Sequence, residues 1–373
     1  MTQQKFVDVD THMIEPRDLW TLQMDKKYRD RAPRIITNPK GLRGDHVIVE
    51  GIAPFSAVAG SFLGQLRKPS QYDRYVQTTK VEDVRPGAWD PASRIKDMAV
   101  DGIAAGVAYP TNAAPFFSLR DPLFQGAVLR TYNDWLAEFT AHDRSRLGGA
   151  GMVPIIDVKA AVKEVQRIKK IGLNAGLVPA TNIGDVSFGH PQYEPLWAAY
   201  EDADLPITFH TFNGDWWWQR GEGKIFNLYV GLACMDFPVR RSITEMMFAG
   251  VFDRHPKLKV TIIEFHAGWV PHWIWLSDYW AYHRPPTPKI KLKPSEYFKR
   301  NMWVAFIDDP VSVEVAHLIG EDRLMWSSDY PHVESLWPHS KKIVDKLFAG
   351  KSAALRQKIT HDNAKKLYGF KAA

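Results

Sequence analysis

Residues 149–178 read GAGMVPIIDVKAAVKEVQRIKKIGLNAGLV. The short apolar run Gly149–Ile155 gives way to Asp157, and then Ala161, Val165 and Ile168 recur at spacings of three and four. That spacing places them on one face of a helix over 158–170. Asp157 stands where an N-cap side chain accepts from the first free amides, and Gly172 where a left-handed residue ends a helix. A second apolar run, Ala175–Val178, follows. Strand, helix and strand in this order form the βαβ unit of a parallel sheet.

The same alternation extends in both directions. Runs at Phe6–Val9, Gly106–Tyr109, Ile207–Phe209, Lys259–Ile263, Met302–Phe306 and Leu324–Trp326 join the two above to make eight strands. Helical patterns lie between them, including Tyr193–Glu201 and Pro310–Ile319. Eight such units predict one α/β domain, a distorted (β/α)8 TIM barrel over 1–373, with long loops inserted at its catalytic face. An open doubly wound sheet is the rival, but no Gly-rich phosphate turn follows the first strand. Three segments break the repeat: 16–95, read as an inserted excursion or lid; 213–240, a Trp-rich loop; and 284–300, a Pro- and Lys-rich loop. Long loops after barrel strands build lids and substrate walls.

Composition narrows the function classes. Among 373 residues, 45% are hydrophobic and 24% charged, an ordinary globular mix. Net charge is +6, but the basic residues are dispersed and form no nucleic-acid stripe. No apolar stretch is long enough to span a membrane, and the N-terminus lacks the pattern of a signal peptide. One cysteine, Cys234, excludes an internal disulfide framework and fits the cytoplasm. It reads as a small buried hydrophobe before it reads as a nucleophile. Trp216, Trp217 and Trp218 are consecutive. They serve equally well as packing under a loop or as an aromatic wall around a small-molecule substrate.

The strand ends carry the chemistry. The first strand ends in Asp8-Val9-Asp10-Thr11-His12, the fifth in His210, the sixth in Glu264-Phe265-His266, and the eighth in Ser327-Ser328-Asp329-Tyr330-Pro331-His332. Residues two apart on a strand point to one side, so Asp10 and His12 can reach one ion. With His210 and Asp329 they make a mixed nitrogen and oxygen shell that suits zinc, manganese or iron. An open position left for water or substrate makes such a shell catalytic. Asp8 reads as a local hydrogen-bond acceptor, and His272 as structural.

The segments DVDTHMIEPRDLW (8–20), ITFHT (207–211), GVFDRHPKLKVTIIEFHAGWVPHW (250–273) and MWSSDYPHVES (325–335) resemble the amidohydrolase superfamily, in the amidohydrolase-2 branch related to aminocarboxymuconate semialdehyde decarboxylase. YNDWLAEF (132–139) and PQYEPLWAAY (191–200) are similar to it as well. The resemblance implies a barrel with one divalent metal at its mouth, held by Asp10, His12, His210 and Asp329. The carboxylated lysine of binuclear relatives has no counterpart in NAGLVPA, which favours a single ion. The sequence departs from the decarboxylase pattern at Glu264 and His266, which share a strand phase. Glu264 is read as a hydrogen-bond support for a ligand, and His266 as acid/base or substrate contact. The pair is also an option for a second metal. His332 is a further support or substrate contact, and Glu15 a support. The resemblance also implies a homodimer.

Three reactions fit. Hydrolysis comes first: a metal-bound water of lowered pKa attacks a small organic substrate, with Asp329 as acid/base and His266 aiding the leaving group. Non-oxidative decarboxylation of an aromatic or unsaturated acid, with Asp329 protonating the carbon, comes second. An iron-dependent oxygenation of a bulky, CoA-linked substrate comes third. A barrel that binds ligand without turnover is the non-enzymatic rival, and the intact ligand set argues against it.

Overall fold

The computed structural model describes residues 5–181, 186–211, 228–287 and 289–371. The strands are β1 (Phe6–Met13), β2 (Arg34–Thr37), β3 (Asp45–Val49), β4 (Ile52–Ser56), β5 (Ile103–Pro110), β6 (Leu147–Met152), β7 (Ala175–Pro179), β8 (Ile207–His210), β9 (Val260–Ile263), β10 (Met302–Phe306) and β11 (Leu324–Trp326). Eight of them form one sheet in the order β1-β5-β6-β7-β8-β9-β10-β11, with every pairing parallel. A bridge from Thr11 to Tyr330 brings the last strand back to the first. The amide of His12 donates to the Tyr330 carbonyl (2.5 Å), and that of Asp329 to the Asp10 carbonyl (3.0 Å). The fold is the expected (β/α)8 barrel, and each of the eight apolar runs falls on one of its strands.

The helix over Val158–Ile171 begins as its sequence dictates, with Asp157 accepting from the amides of Lys159 (2.9 Å) and Ala160 (3.1 Å). It ends at Gly172, whose φ of 86° a side chain would strain. Ala161, Val165 and Ile168 are buried against the sheet. The helix expected over 310–319 is two pieces, Pro310–Glu314 and Ala316–Ile319, parted at Val315.

The excursion after β1 has a fold of its own. β2, β3 and β4 make an antiparallel sheet that the sequence reading did not foresee. β2 alternates weakly, and only Ile35 of its four residues is buried. The excursion returns to the barrel in the helix Pro91–Val100, which leads into β5. Between these, residues 57–64 lie over the mouth: the Asn112 side chain donates to the Ala57 carbonyl (3.1 Å), and the Leu63 amide to the Pro331 carbonyl (3.0 Å). Among the described residues no helix is long and apolar enough to cross a membrane.

Candidate functional site

β1 is buried along its whole length and carries Asp8, Asp10 and His12, with a register shift against β5 between Asp8 and Thr11. They do not share a task. Asp8 sits deeper and accepts from the amide of Asp10 (3.2 Å), the amide of Ser328 (2.9 Å) and the Ser328 hydroxyl. It fastens β1 to the segment after β11. Burial pushes its carboxyl up to about 7.

Asp10 and His12 face the barrel mouth, where β8, β9 and β11 deliver His210, Glu264 and Asp329. Each histidine is oriented from behind. His12 Nδ1 lies 3.1 Å from the Pro110 carbonyl, and His210 Nδ1 3.0 Å from the Thr211 carbonyl. A proton on Nδ1 leaves each Nε2 turned toward the carboxylates. His12 Nε2 is 3.3 Å from Asp10 Oδ1 and 3.4 Å from Asp329 Oδ1. His210 Nε2 is 3.2 Å from Asp10 Oδ1 and 3.0 Å from Glu264 Oε2. One donor atom each from Asp10, His12, His210 and Glu264 lies within 4.8 Å of all the others, and the four residues are buried.

These groups shift one another strongly. Burial opposes the charged form of His210, but Glu264 and Asp10 outweigh it and raise the imidazole to about 9. Burial and the neighbouring His332 push His12 down to about 3. Asp10 falls below the usual carboxylate range because His210 and His12 overcome its burial. Burial, with Glu334 and Asp10 close by, raises Asp329 well above that range, and burial raises Glu264 likewise.

Among the described residues, Asp10 Oδ2, His12 Nε2 and both carboxylate oxygens of Asp329 are buried without a hydrogen-bond partner. An unpaired buried polar atom is costly, and four of them converge at one strand-end site. Two imidazole nitrogens and several carboxylate oxygens are the donors that a divalent cation takes. The site fits such an ion.

Glu264, His266 and Asp329 all have left-handed backbones, with φ of 65°, 53° and 54°. Non-glycine residues in that region concentrate at functional sites. They also break the phase argument for the sixth strand. β9 ends at Ile263, so Glu264 and His266 do not follow strand alternation. Glu264 enters the cluster beside His210 and accepts from the Thr211 hydroxyl (2.7 Å). His266 belongs to none of the donor groups that could share an ion, and its Nδ1 is buried and unpartnered among the described residues.

His332 stacks on His12, with ring centroids 3.7 Å apart. Its Nδ1 is 3.0 Å from Asp329 Oδ1 and its Nε2 3.1 Å from the Thr111 hydroxyl. Glu15 stands back from the donor cluster. Its buried carboxylate accepts from the amides of Thr111 (3.3 Å), Asn112 (2.8 Å) and Ala113 (3.1 Å), so it clamps the turn that carries Thr111. Trp216, Trp217 and Trp218 lie outside the described residues. Cys234 is half-buried, and His272 lines a cleft between the helices Asp236–Phe248 and Val270–His283. Glu334, which the sequence reading passed over, has a carboxylate within 4.8 Å of those of Glu264 and Asp329. Its signal was its place in SSDYPHVES, two residues beyond His332.

The family model for amidohydrolases matches residues 7–370. The chain is 25% identical over 301 residues to a gamma-resorcylate decarboxylase of Rhizobium sp. (strain MTP-10005), covering 75% of this chain and 88% of that one. Its fold is similar to that of an amidohydrolase from Mycobacterium avium subsp. paratuberculosis K-10, with a TM-score of 0.83 and 24% identity over 99% of this chain and 100% of the other. It is also similar to a dihydroxybenzoic acid decarboxylase from Polaromonas sp. JS666, solved with manganese and the inhibitor 2-nitroresorcinol, with a TM-score of 0.68 and 19% identity over 98% of this chain and 97% of that one. The match over nearly the whole length, together with the barrel and its metal-fitting mouth, makes this chain an enzyme of the amidohydrolase family.

Proposed function

We propose that this enzyme is a divalent-metal-dependent carboxy-lyase that removes the carboxyl group of a hydroxylated aromatic acid without oxidation. The observation that carries the reading is Asp329: fully buried, with no hydrogen bond at either oxygen among the described residues, 3.0 Å from His332 Nδ1 and 3.4 Å from His12 Nε2 at the mouth. The decarboxylases among the relatives favour this reaction over hydrolysis, which the sequence alone had placed first.

Asp10, His12, His210 and Glu264 would hold the ion, and manganese is our assignment after the Polaromonas decarboxylase. When bound, it supplies Lewis-acid polarisation of the substrate's oxygens. The chain's own residues do the rest. Asp329 delivers a proton to the ring carbon that bears the carboxylate. The carbon–carboxylate bond then breaks, its electron pair restores the aromatic ring, and carbon dioxide leaves. Asp329 takes a replacement proton from solvent. His332, fixed between Thr111 and Asp329, keeps that carboxyl aimed.

The test is turnover of manganese-loaded protein with 2,6-dihydroxybenzoate and related ring-hydroxylated benzoates, following carbon dioxide release in D2O. One deuterium should appear at the vacated carbon. Asp329→Asn should slow release by about 10²–10⁴, the usual weight of a positioned acid. Hydrolysis of esters or amides, with no carbon dioxide from any carboxylate, would return the hydrolase reading to first place.

A further inference from the structure

The helix Pro91–Val100 carries two buried charged residues one turn apart, Arg94 and Asp97. Each reaches one half of the mouth from behind. Arg94 is only 3% exposed, and its described hydrogen bonds go to uncharged acceptors. These are the Gly87 carbonyl (2.5 Å), the Thr11 hydroxyl (2.8 Å), the His12 carbonyl (2.5 Å) and the Met13 sulfur (3.4 Å). Burying a charge against neutral groups is costly. What arginine supplies there is a rigid planar fork that spans several acceptors at once. Thr11 stands between Asp10 and His12. His12 is held at both backbone groups: its amide donates to the Tyr330 carbonyl, and its carbonyl accepts from Arg94. The Arg94 guanidinium also lies 4.6 Å from the centre of the Tyr330 ring.

Asp97 holds the other half. Its carboxylate accepts from the Tyr330 hydroxyl (2.6 Å) and pairs with Arg85 through both oxygens (2.6 and 2.5 Å). Its carbonyl accepts from the Trp337 indole (2.9 Å). Tyr330 directly follows Asp329. Gly87 lets this group close up, since a Cβ there would lie 2.2 Å from Asp97 Oδ2 and 2.5 Å from the Tyr330 hydroxyl oxygen.

We infer that Arg94 and Asp97 are positioning residues for the reaction at the mouth: Arg94 acts through β1 on Asp10 and His12, and Asp97 through Tyr330 on Asp329. Both arms leave one helix, so the ion's ligands and the acid keep a fixed spacing. The inference rests on the carboxy-lyase reading for the roles of the ion and of Asp329.

The test is the Mn2+ dissociation constant of the chelator-stripped full chain, read from free Mn2+ by electron paramagnetic resonance, beside kcat for carbon dioxide release from 2,6-dihydroxybenzoate. Arg94→Lys keeps the charge and loses the fork, and it should weaken Mn2+ binding by roughly 10–100-fold. Tyr330→Phe loses only the hydroxyl, and Asp97 keeps its Arg85 partner. It should lower kcat by roughly ten- to a hundredfold while its Mn2+ affinity stays within about twofold of wild type. A general loosening of the fold would move both readings in both variants, so the split between them marks positioning. If Arg94→Lys does not melt cooperatively, Thr11→Val, which removes the hydroxyl that Arg94 reaches, decides this arm by the same affinity, and Thr11→Ser should restore it. Wild-type Mn2+ affinity in a folded Arg94→Lys, or in Thr11→Val standing in for it, overturns the role of Arg94. Wild-type kcat in Tyr330→Phe, or a Mn2+ affinity that falls along with kcat, overturns that of Asp97. A wild type that binds Mn2+ and releases no carbon dioxide overturns the carboxy-lyase reading and the role of Asp97 with it, while the affinities still decide that of Arg94.

Discussion

Glu15 shows how a residue outside the donor cluster governs it. Its side chain is fully buried and satisfies three successive amides, those of Thr111, Asn112 and Ala113. Those amides open the loop after β5, and the loop carries the hydroxyl that meets His332. Removing the carboxylate leaves the amides buried and unpaired, at roughly 1–3 kcal/mol for each group left so. Glu15→Ala should therefore lose about 3 kcal/mol or more of unfolding free energy, read from the urea midpoint at constant m-value. Because Thr111 would then wander, turnover should fall as well. A loss below about 1 kcal/mol would mean that water replaces the carboxylate and that the turn holds itself. Asp8 makes a comparable clamp one strand away, joining β1 to Ser328. Asp8→Ala should cost a similar amount by the same measurement, and a neutral result would show that the seam is held by the backbone alone.

At the scale of elements, the site depends on how each strand ends. β1 runs on as strand through Met13, so its alternation holds at Asp10 and His12, and the pair was legible from spacing alone. His210 closes β8 within the ladder, paired with Pro179, and was legible for the same reason. β9 and β11 stop at Ile263 and Trp326, and the polar residues beyond them take left-handed or turn backbones. No periodicity governs such positions, which is why Glu264 and His266 were expected together and part company. The hairpin sheet β2–β4 escaped for a related reason: its strands are short, and β2 and β4 on either side of the buried β3 are exposed or half-buried over most of their length. That sheet leads into residues 57–64, which press on the mouth. A Cβ at Gly60 would lie 2.4 Å from Thr111 Cγ2 and 3.1 Å from the His332 ring. Gly60→Ala should displace both, and a shift of this kind lowers kcat by roughly ten- to a hundredfold. Metal content should not change, since none of the ion's assigned donors touches Gly60. Wild-type kinetics from this variant would place the segment too far from the chemistry to matter.

Over the whole molecule, the seam that closes the barrel runs through residues that would hold the ion. The chain carries a net charge of +6, yet its mouth gathers carboxylates from β1, β9 and β11 with only histidines as described ion-pair partners. The seam between the first and last strands passes through these residues, because Asp329 donates its amide to Asp10 and His12 donates its own to Tyr330. Without a cation, the cost of burying Glu264 and Asp329 falls on that seam. A ligand that binds only the folded state adds RT ln(1 + [L]/Kd), about 4.1 kcal/mol at a thousandfold excess over Kd. Dialysis against a chelator should lower Tm on the order of 5 °C by scanning calorimetry, and restoring Mn2+ should recover it. Asp10→Asn removes a charge that both histidines face, so it should lose most of the manganese-dependent increment and melt nearly alike with and without the ion. Equal melting temperatures for the loaded and stripped wild type would mean that the mouth is organised by its hydrogen bonds alone. The donors would then be preformed, and the ion would serve the reaction without serving the fold.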